Sequence, residues 1–164
     1  MRKFTPNEIS VLSDGNISVK LSQNKYAIID KDGYDKIKKY RWCARKHHKT
    51  FYAVNGKTQI LMHQVIFPVP KGFETDHKNR NGLDNRTDNL RPATTSQNGF
   101  NKSLCSRNVT GITGVSFNIK KRKWQARICV SGTPIFLGLF LCFKKAVNAR
   151  KIAEKKMFKE YAPS

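Results

Sequence analysis

The chain has 164 residues, which is enough for one ordinary domain or for two or three small ones, each with a thin core. Hydrophobic residues make up 38% of it, a share that supports globular folding and excludes a wholly disordered chain. Thirty-two lysine and arginine residues against eleven acidic ones leave a formal net charge of +21, which predicts a polyanionic partner.

The positive charge is spread along the whole sequence. Residues 1–106 carry 19 basic and 9 acidic side chains, and residues 107–164 carry 13 and 2. This spread favours two modules that face nucleic acid over a single basic tail. The alternative is a basic membrane-surface protein, but the amphipathic helix that it needs has only a poor candidate, at the end of the chain. Apolar runs such as residues 135–143 are too short to span a bilayer.

Cysteine usage indicates a reducing compartment. Cys43, Cys105, Cys129 and Cys142 are widely spaced, form no C-x-x-C pair and follow no secretory signal. We therefore expect a soluble protein of the cytoplasm, that of the bacterial host if a phage encodes it. The four free thiols are expected to fill the core.

The first 61 residues are predicted to form a small β-rich region. Period-two alternation indicates strands at residues 9–11, 17–21 and 26–29, followed by one or two helical turns at residues 34–40. Two further strands flank a basic turn at residues 46–49. The dipeptide Asn55-Gly56 is favoured in type I′ hairpins, and it predicts a return strand over residues 57–61.

Three histidines precede the most polar stretch of the chain. Cys43, His47 and His48 lack a second ligand pair at comparable spacing, so a solvated turn that meets phosphate is favoured over a zinc site. Residues 62–67 are predicted to form a short helix, and His63 lies on it. A hydrogen-bonded structural histidine is favoured there over a catalytic one.

Residues 73–101 combine the side chains that bind hard metals and move protons. Cutting a phosphodiester requires a group that deprotonates water, and a histidine with a pKa of about 6.5, such as His77, suits this step. It also requires charge to be offset on the phosphate. Asp76 and Asn98 offer hard oxygen ligands that favour Mg²⁺ or Mn²⁺ over zinc. The stretch therefore predicts a one-metal nuclease core.

The backbone must bring these groups together. Asp76 and His77 are adjacent, and neighbours on a strand point to opposite faces, so the strand must bend or the following loop must fold back. Residues 79–85 are rich in Asn, Asp and Gly, which suit such a loop. Asn89 ends the loop, and its amide can tie two backbone segments together.

A helix and then a linker are predicted to follow. Cap residues at positions 94–96 predict a helix that starts at residues 97–102, with Asn98 in its first turn. The resulting order is strand, loop, strand, helix. Residues 102–110 are polar and lack periodicity, which indicates a linker.

The C-terminal part alternates again and then changes period. Strands are predicted at residues 114–118, 124–130 and 135–140, with a basic turn after the first of them. From Phe143 the apolar spacing is helical, and its small alanines would let the helix lie close to a three-stranded sheet. For most lysines on the opposite face of the helix, exposure to solvent is the favoured interpretation.

The central stretch resembles the HNH endonucleases, in particular the phage and intron-encoded homing endonucleases of that group. The matching motifs are Met62-His63, Thr75-Asp76-His77, Asn79-x-Asn81-Gly82-Leu83-Asp84-Asn85-Arg86, Asn89-Leu90-Arg91 and Gln97-Asn98. The resemblance implies a ββα-metal fold that lies in the minor groove. It implies that His77 is the general base and that Asp76 and Asn98 bind one divalent ion, Mg²⁺ or Mn²⁺. Asn89 would complete the catalytic group as the brace of the loop.

Two features depart from the commonest HNH pattern. Asn98 stands where many relatives have His, an H-N-N form shared by some homing enzymes, which argues against a preference for zinc or nickel. The C-x-x-C pairs that clamp many HNH cores with structural zinc are also missing from the sequence, so we expect the lead-in strands to hold this core. Arg86 and Arg91, within the matching motifs, are predicted DNA contacts.

The C-terminal segment resembles the AP2 DNA-binding domain. The matching motifs are Gly114-Val115, Lys123-Trp124-x-Ala126-x-Ile128, Leu137-Gly138-x-Phe140 and the alanine-rich helix. The resemblance implies that the sheet enters the major groove. Base contacts would then come from Ser116, Asn118, Arg127 and Phe136, and phosphate contacts from Lys121, Arg122 and Lys123. Trp124 suits the core and a DNA contact equally well.

These patterns together predict an α+β protein with three parts. Residues 1–61 would form a β-rich region that supports the core, and residues 62–104 an HNH core of the ββα-metal (His-Me finger) type. Residues 105–164 would form an AP2-like DNA-binding domain, a three-stranded antiparallel sheet packed on one helix.

The predicted function is metal-dependent, site-specific cleavage of double-stranded DNA, of the homing type, by nicking or by cutting both strands. No protein partner is required, no membrane is involved, and the protein would be a monomer or a weak dimer. A non-catalytic DNA-binding regulator is the first alternative, and an RNA-binding or RNA-processing protein is the second.

Overall fold

The computed structural model describes residues 5–101 and 108–162. The chain folds into two compact units, Met1–Thr94 and Thr95–Ser164. Helix accounts for 26% and strand for 35%, which agrees with the expected α+β class. Most of the linker predicted at residues 102–110 lies outside the described residues, as does Cys105.

The first unit begins with a three-stranded antiparallel sheet. Its strands are β1 (Ile9–Val11), β2 (Ile17–Lys20) and β3 (Tyr26–Ile29), in that order. Val19 and Ala27 face each other in the register of β2 and β3, and both are buried. The strands predicted from the alternation of apolar residues are therefore present.

A short helix and a hairpin follow. Helix α1 (Tyr34–Ile37) leads to β4 (Trp42–His47) and β5 (Thr50–Asn55), which pair antiparallel around the basic turn. The predicted return strand over residues 57–61 is reduced to a single antiparallel bridge, between Val54 and Leu61. The Asn55 Oδ1 atom accepts the amides of Lys57 and Thr58 at 3.0 and 2.8 Å, so the chain coils instead of extending.

A second antiparallel pair completes the first unit. It follows helix α2 (Met62–Ile66) and consists of β6 (Glu74–His77) and β7 (Leu90–Ala93). Residues 78–89 connect the two strands, and we call this segment the 78–89 loop; it ends in a single 3₁₀ turn. Side chains from α2, from β7 and from the preceding strands share one buried core, which includes Trp42, Met62 and Leu90.

The N-terminal sheet holds the 78–89 loop through its backbone. The Ile28 amide donates to the Leu83 carbonyl at 2.8 Å, and the Asn85 amide donates to the Ile28 carbonyl at 2.7 Å. The Asp30 carboxylate accepts the Thr87 amide at 2.6 Å. The lead-in segment thus holds the loop through hydrogen bonds.

The second unit combines two helices with one sheet. Helix α3 (Thr95–Phe100) starts two residues earlier than predicted, so Asn98 is its fourth residue. The strands β8 (Val115–Asn118), β9 (Lys123–Val130) and β10 (Thr133–Phe140) form an antiparallel sheet in the order β10-β9-β8. Helix α4 (Phe143–Phe158) packs on this sheet and ends in a 3₁₀ turn.

Arg150 is buried in the face of α4 that packs on the sheet. Its Nη1 donates to the Arg127 carbonyl at 2.7 Å, and its Nε donates to the Glu154 carboxylate at 2.9 Å. The neighbouring Gly114 has a φ of +75°, and a Cβ there would lie 2.2 Å from the same Arg127 carbonyl oxygen. Ile152, also on α4, is 59% exposed.

The described cysteines are free thiols, but two of the three do not fill the core. Cys43 is half-buried, whereas Cys129 and Cys142 are exposed, so the expectation of core filling is wrong for these two. Cys129 faces outward because it follows Ile128 on β9, where alternate residues point to opposite faces. Across residues 5–101 and 108–162, helices lack the length and apolar character needed to span a membrane.

Candidate active site

His77 is buried at the end of β6 and is contacted by two other aromatic side chains. Its ring centroid lies 4.9 Å from that of His63 and 5.7 Å from that of Tyr52, in edge-on geometry. Its Nε2 atom lies 3.2 Å from the Asn85 Oδ1 atom. Burial lowers the pKa of His77, against the opposing effects of the Asn85 hydrogen bond and the nearby carboxylates. The imidazole is therefore held neutral in a fixed orientation.

Asn85 fixes His77, a role that the sequence reasoning missed. It is fully buried, and its Nδ2 donates to the Leu83 carbonyl at 3.3 Å and contacts the Met62 sulfur at 3.6 Å. These contacts orient the amide so that its oxygen faces the histidine. The sequence motif placed Asn85 in the loop, but gave no signal of its partner.

His63 shares the interior with His77. Burial and the neighbouring His77 lower the pKa of His63 to about 3. The expected hydrogen bond does not anchor its ring: among the described residues the ring makes edge contacts with Tyr52 and His77 instead. The uncharged His63 ring therefore packs against the His77 ring.

Asp76 forms a nearly buried ion pair across the two strands. Its Oδ2 accepts the Arg91 Nη2 at 2.8 Å and Nε at 2.9 Å, and the two residues are register partners of β6 and β7. The exposed fractions of the side chains are 7% for Asp76 and 12% for Arg91. Arg91, which was predicted to contact DNA, therefore forms an ion pair with Asp76 within the protein.

Asn89 joins both ends of the 78–89 loop. Its Oδ1 accepts the Asn79 amide at 3.0 Å, and its Nδ2 donates to the Asp84 carbonyl at 2.7 Å. Its own carbonyl accepts the Lys78 amide at 2.9 Å. These bonds use both groups of the side-chain amide, which is the geometry of a brace.

Asp84 and Arg86 stabilise the middle of the same loop. The Arg86 guanidinium donates to both Asp84 carboxylate oxygens, at 2.8 and 2.7 Å, and Asn79 adds a third bond at 2.8 Å. The Arg86 bond in particular lowers the pKa of Asp84. Arg86, another predicted DNA contact, keeps 39% of its side chain exposed.

Metal-binding groups are sparse. Within residues 5–101 and 108–162, no group of three or more His, Cys, Asp and Glu side chains could hold a metal ion. Asp76 supplies one hard carboxylate, and Asn98 is a half-buried residue of α3 in the second unit. Because Mg²⁺ is usually held by one or two carboxylates together with phosphate and water, the Asp76 carboxylate fits an ion that binds with its substrate.

The second unit presents a polar sheet face opposite α4. Gln125 donates to the Ser116 hydroxyl at 3.0 Å and accepts the Asn118 amide at 3.3 Å. Arg127 is exposed and pairs in register with Phe136, which is 64% exposed. The sequence reasoning missed Gln125, although period-two alternation places it on the same face as Arg127.

The basic turn beside this face is exposed, whereas Trp124 is not part of it. Lys121, Arg122 and Lys123 form the turn between β8 and β9, and the Lys121 amide donates to the Asn118 side chain at 3.0 Å. The Trp124 ring lies 4.7 Å from the Phe143 ring and packs in the core between sheet and helix. Trp124 is thus half-buried against the core.

Comparison with known proteins identifies the family. A family model for HNH endonucleases matches residues 60–100, which include α2, β6, the 78–89 loop, β7 and α3. Protein 3.8 of Escherichia phage T7 is 30% identical over 88 residues, which cover 54% of this chain and 73% of that protein. The chain therefore contains an HNH endonuclease domain. An uncharacterized HNH endonuclease of Acanthamoeba polyphaga mimivirus is 27% identical over 143 residues, 84% of this chain and 73% of that protein.

The match to HNH endonucleases indicates a nuclease, a hydrolase that acts on DNA. The matched segment contains Asp76, His77, Asn89 and Asn98. No solved structure matches the chain significantly.

Proposed function

We propose that this HNH protein is a metal-dependent, site-specific DNA endonuclease of the homing type. The observation that carries the proposal is His77, which is buried, neutral and oriented by Asn85 inside the segment that matches the HNH family. A neutral imidazole with one nitrogen already fixed is suited to take a proton from water.

The hydrogen bond with Asn85 defines which nitrogen of His77 acts. The Asn85 Oδ1 atom has no proton to give, so His77 Nε2 carries the proton and donates. In the neutral ring the lone pair then lies on Nδ1. We assign Nδ1 as the atom that removes a proton from the attacking water.

Asp76 and Asn98 would hold one divalent ion, Mg²⁺ or Mn²⁺. Such an ion, when bound, offsets charge on the phosphate and stabilises the leaving oxygen. Asp76 is oriented for this by Arg91, which binds its Oδ2 atom. Asn89 would keep the 78–89 loop folded, so that His77 and Asp76 keep their positions during the reaction.

The second unit is proposed to read DNA with its exposed sheet face, as the AP2-like pattern implies. Ser116, Asn118, Arg127 and Phe136 would contact bases, and Gln125 belongs to the same hydrogen-bonded row. Lys121, Arg122 and Lys123 would bind phosphates beside it. Trp124 is left out of the contact set because it packs in the core.

One observation favours the alternative of a non-catalytic DNA-binding regulator. The Asp76 carboxylate is already engaged by Arg91 in a nearly buried pair, which would suit a core kept for binding. The two functions differ in a direct way, because the regulator binds DNA without cutting any substrate with either metal.

Substitution of the proposed base tests the function. We expect His77→Ala to abolish cleavage of duplex DNA while its binding in a gel-shift assay survives. Ile152→Ala is the control, because Ile152 is 59% exposed on α4 and belongs to no predicted site. Normal cutting by the His77 variant would refute the assignment.

A further inference from the structure

Three rings from three separate elements pack against one another in the first unit. Tyr52 on β5 lies 5.7 Å from both His63 on α2 and His77 on β6, and the two histidines lie 4.9 Å apart. We call these side chains the three-ring cluster. Every contact within it is edge-on, an arrangement that aromatic rings favour.

Tyr52 is the member of the three-ring cluster that reaches solvent. His63 and His77 are buried, whereas Tyr52 is half-buried. Among the described residues its hydroxyl makes no hydrogen bond. A buried tyrosine usually finds a partner for this group, so a hydroxyl left open beside His77 is available to a ligand.

The β4–β5 hairpin holds Tyr52 in place against the 78–89 loop. The Gly82 amide donates to the Thr50 hydroxyl at 3.1 Å. A Cβ on Gly82 would lie 2.5 Å from the Phe51 carbonyl oxygen and 2.6 Å from the Tyr52 ring. Glycine therefore allows the loop and the hairpin to touch, and this contact fixes the tyrosine before any ligand binds.

The Tyr52 phenol is protonated at neutral pH, because the ordinary pKa of tyrosine is about 10. Burial and the Asp76 carboxylate both raise the pKa of Tyr52. Toward an anion the group can therefore act only as a donor. Its neighbours are the proposed base, His77, and the proposed metal ligand, Asp76.

We propose that Tyr52 is a further catalytic residue, whose hydroxyl donates a hydrogen bond to a non-bridging oxygen of the phosphate that is cut. This inference rests on the proposed nuclease function. The hydroxyl gains and loses no covalent bond, and its contribution is to offset the charge that develops on the phosphate oxygens. In the opposing view the Tyr52 ring only packs against the histidines.

Tyr52→Phe separates the two views, because it keeps the ring and removes the hydroxyl. Single-turnover cleavage of a supercoiled plasmid that carries the DNA flanking the gene would be measured at saturating protein. We expect the rate to fall by about tenfold or more, as for other donors to developing negative charge. Tyr40→Phe is the control, because Tyr40 is also half-buried, and its ring lies 5.4 Å from that of Trp42, outside the three-ring cluster.

If Tyr52 had only a structural role, its substitution would change the melting temperature rather than the cleavage rate alone. We expect Tyr52→Phe to keep the wild-type melting temperature and DNA affinity, and Tyr52→Ala to lose stability as well. A smaller fall in rate for Tyr52→Phe, or an equal fall for Tyr40→Phe, would overturn the inference and leave the nuclease function standing. A wild-type protein that cut no DNA would overturn both.

Discussion

The Arg91 guanidinium lies across the β6–β7 pair against the Asp76 carboxylate, with Nη2 2.8 Å from Oδ2. Both side chains are nearly buried, so each charge is stabilised by the opposite charge of its partner. Removal of one partner takes away the opposite charge beside the other, which is the costly way to break such a pair.

We expect Arg91→Ala to lower the free energy of unfolding by about 3 kcal/mol, measured by urea denaturation at neutral pH. Asp76→Asn in the same chain should restore at least half of the loss, because the remaining group is neutral. If the effects of the two single substitutions simply add, the pair is not coupled and this prediction is wrong.

Stability should depend on pH through His63. Its pKa is about 3 in the folded protein, below its ordinary value, so the unfolded chain binds a proton more readily. The stabilisation is therefore complete above a pH of about 6.5 and is lost as the pH falls toward 3. Between pH 7.5 and 5 we expect a loss of about 2 kcal/mol from this residue.

His63→Phe provides the comparison, because it keeps a ring beside Tyr52 and His77 but cannot titrate. Urea unfolding of both proteins at the two pH values isolates the contribution of His63. We expect the variant to lose correspondingly less stability on acidification. An equal loss in both proteins would show that His63 is not held neutral by the fold.

Asn89 should matter for the folding of the 78–89 loop. Asn89→Ala removes the acceptor for the Asn79 amide and the donor to the Asp84 carbonyl, at an expected cost of about 1–3 kcal/mol. Asn89→Asp keeps only the acceptor, so its stability should lie between that of Asn89→Ala and that of the wild type. Thermal unfolding and hydrogen exchange of the loop measure both effects. Unchanged exchange in Asn89→Ala would contradict the bracing role.

Arg127 should contribute to sequence preference. Its side chain is exposed on the sheet face, so Arg127→Ala should reduce affinity for the preferred site by about 1–3 kcal/mol while affecting unrelated DNA less. Lys155→Ala, on the exposed face of α4, is the control and should change little. A uniform loss of affinity for all sequences would place Arg127 on the phosphates.

Much of the secondary structure could be predicted because local chemistry determines it. The strands at residues 17–20 and 123–130 formed where apolar residues alternate, and α4 formed where their spacing becomes helical. The return strand after β5 is shortened to one bridge because the Asn55 side chain accepts hydrogen bonds from two backbone amides. Propensity scales score each residue separately and do not include such hydrogen bonds between a side chain and the backbone.

The candidate site was predictable in part. The motif named His77 and Asp76 because adjacent residue types carry the chemistry, but their partners come from contacts distant in sequence. Arg91 lies fifteen positions from Asp76, and Tyr52 reaches His77 from another hairpin. Arg150 likewise bonds to the Arg127 carbonyl, 23 positions away, a contact that only the folded chain shows.

Cleavage of DNA by the purified wild-type protein tests the central claim most directly. A supercoiled plasmid that carries the DNA flanking the gene would be incubated with Mg²⁺, with Mn²⁺ and with excess EDTA. We predict nicked or linear product with either metal and none with EDTA, with ends that map to a defined site. Tight binding without cleavage under every condition, or equal cutting in EDTA, would contradict the account.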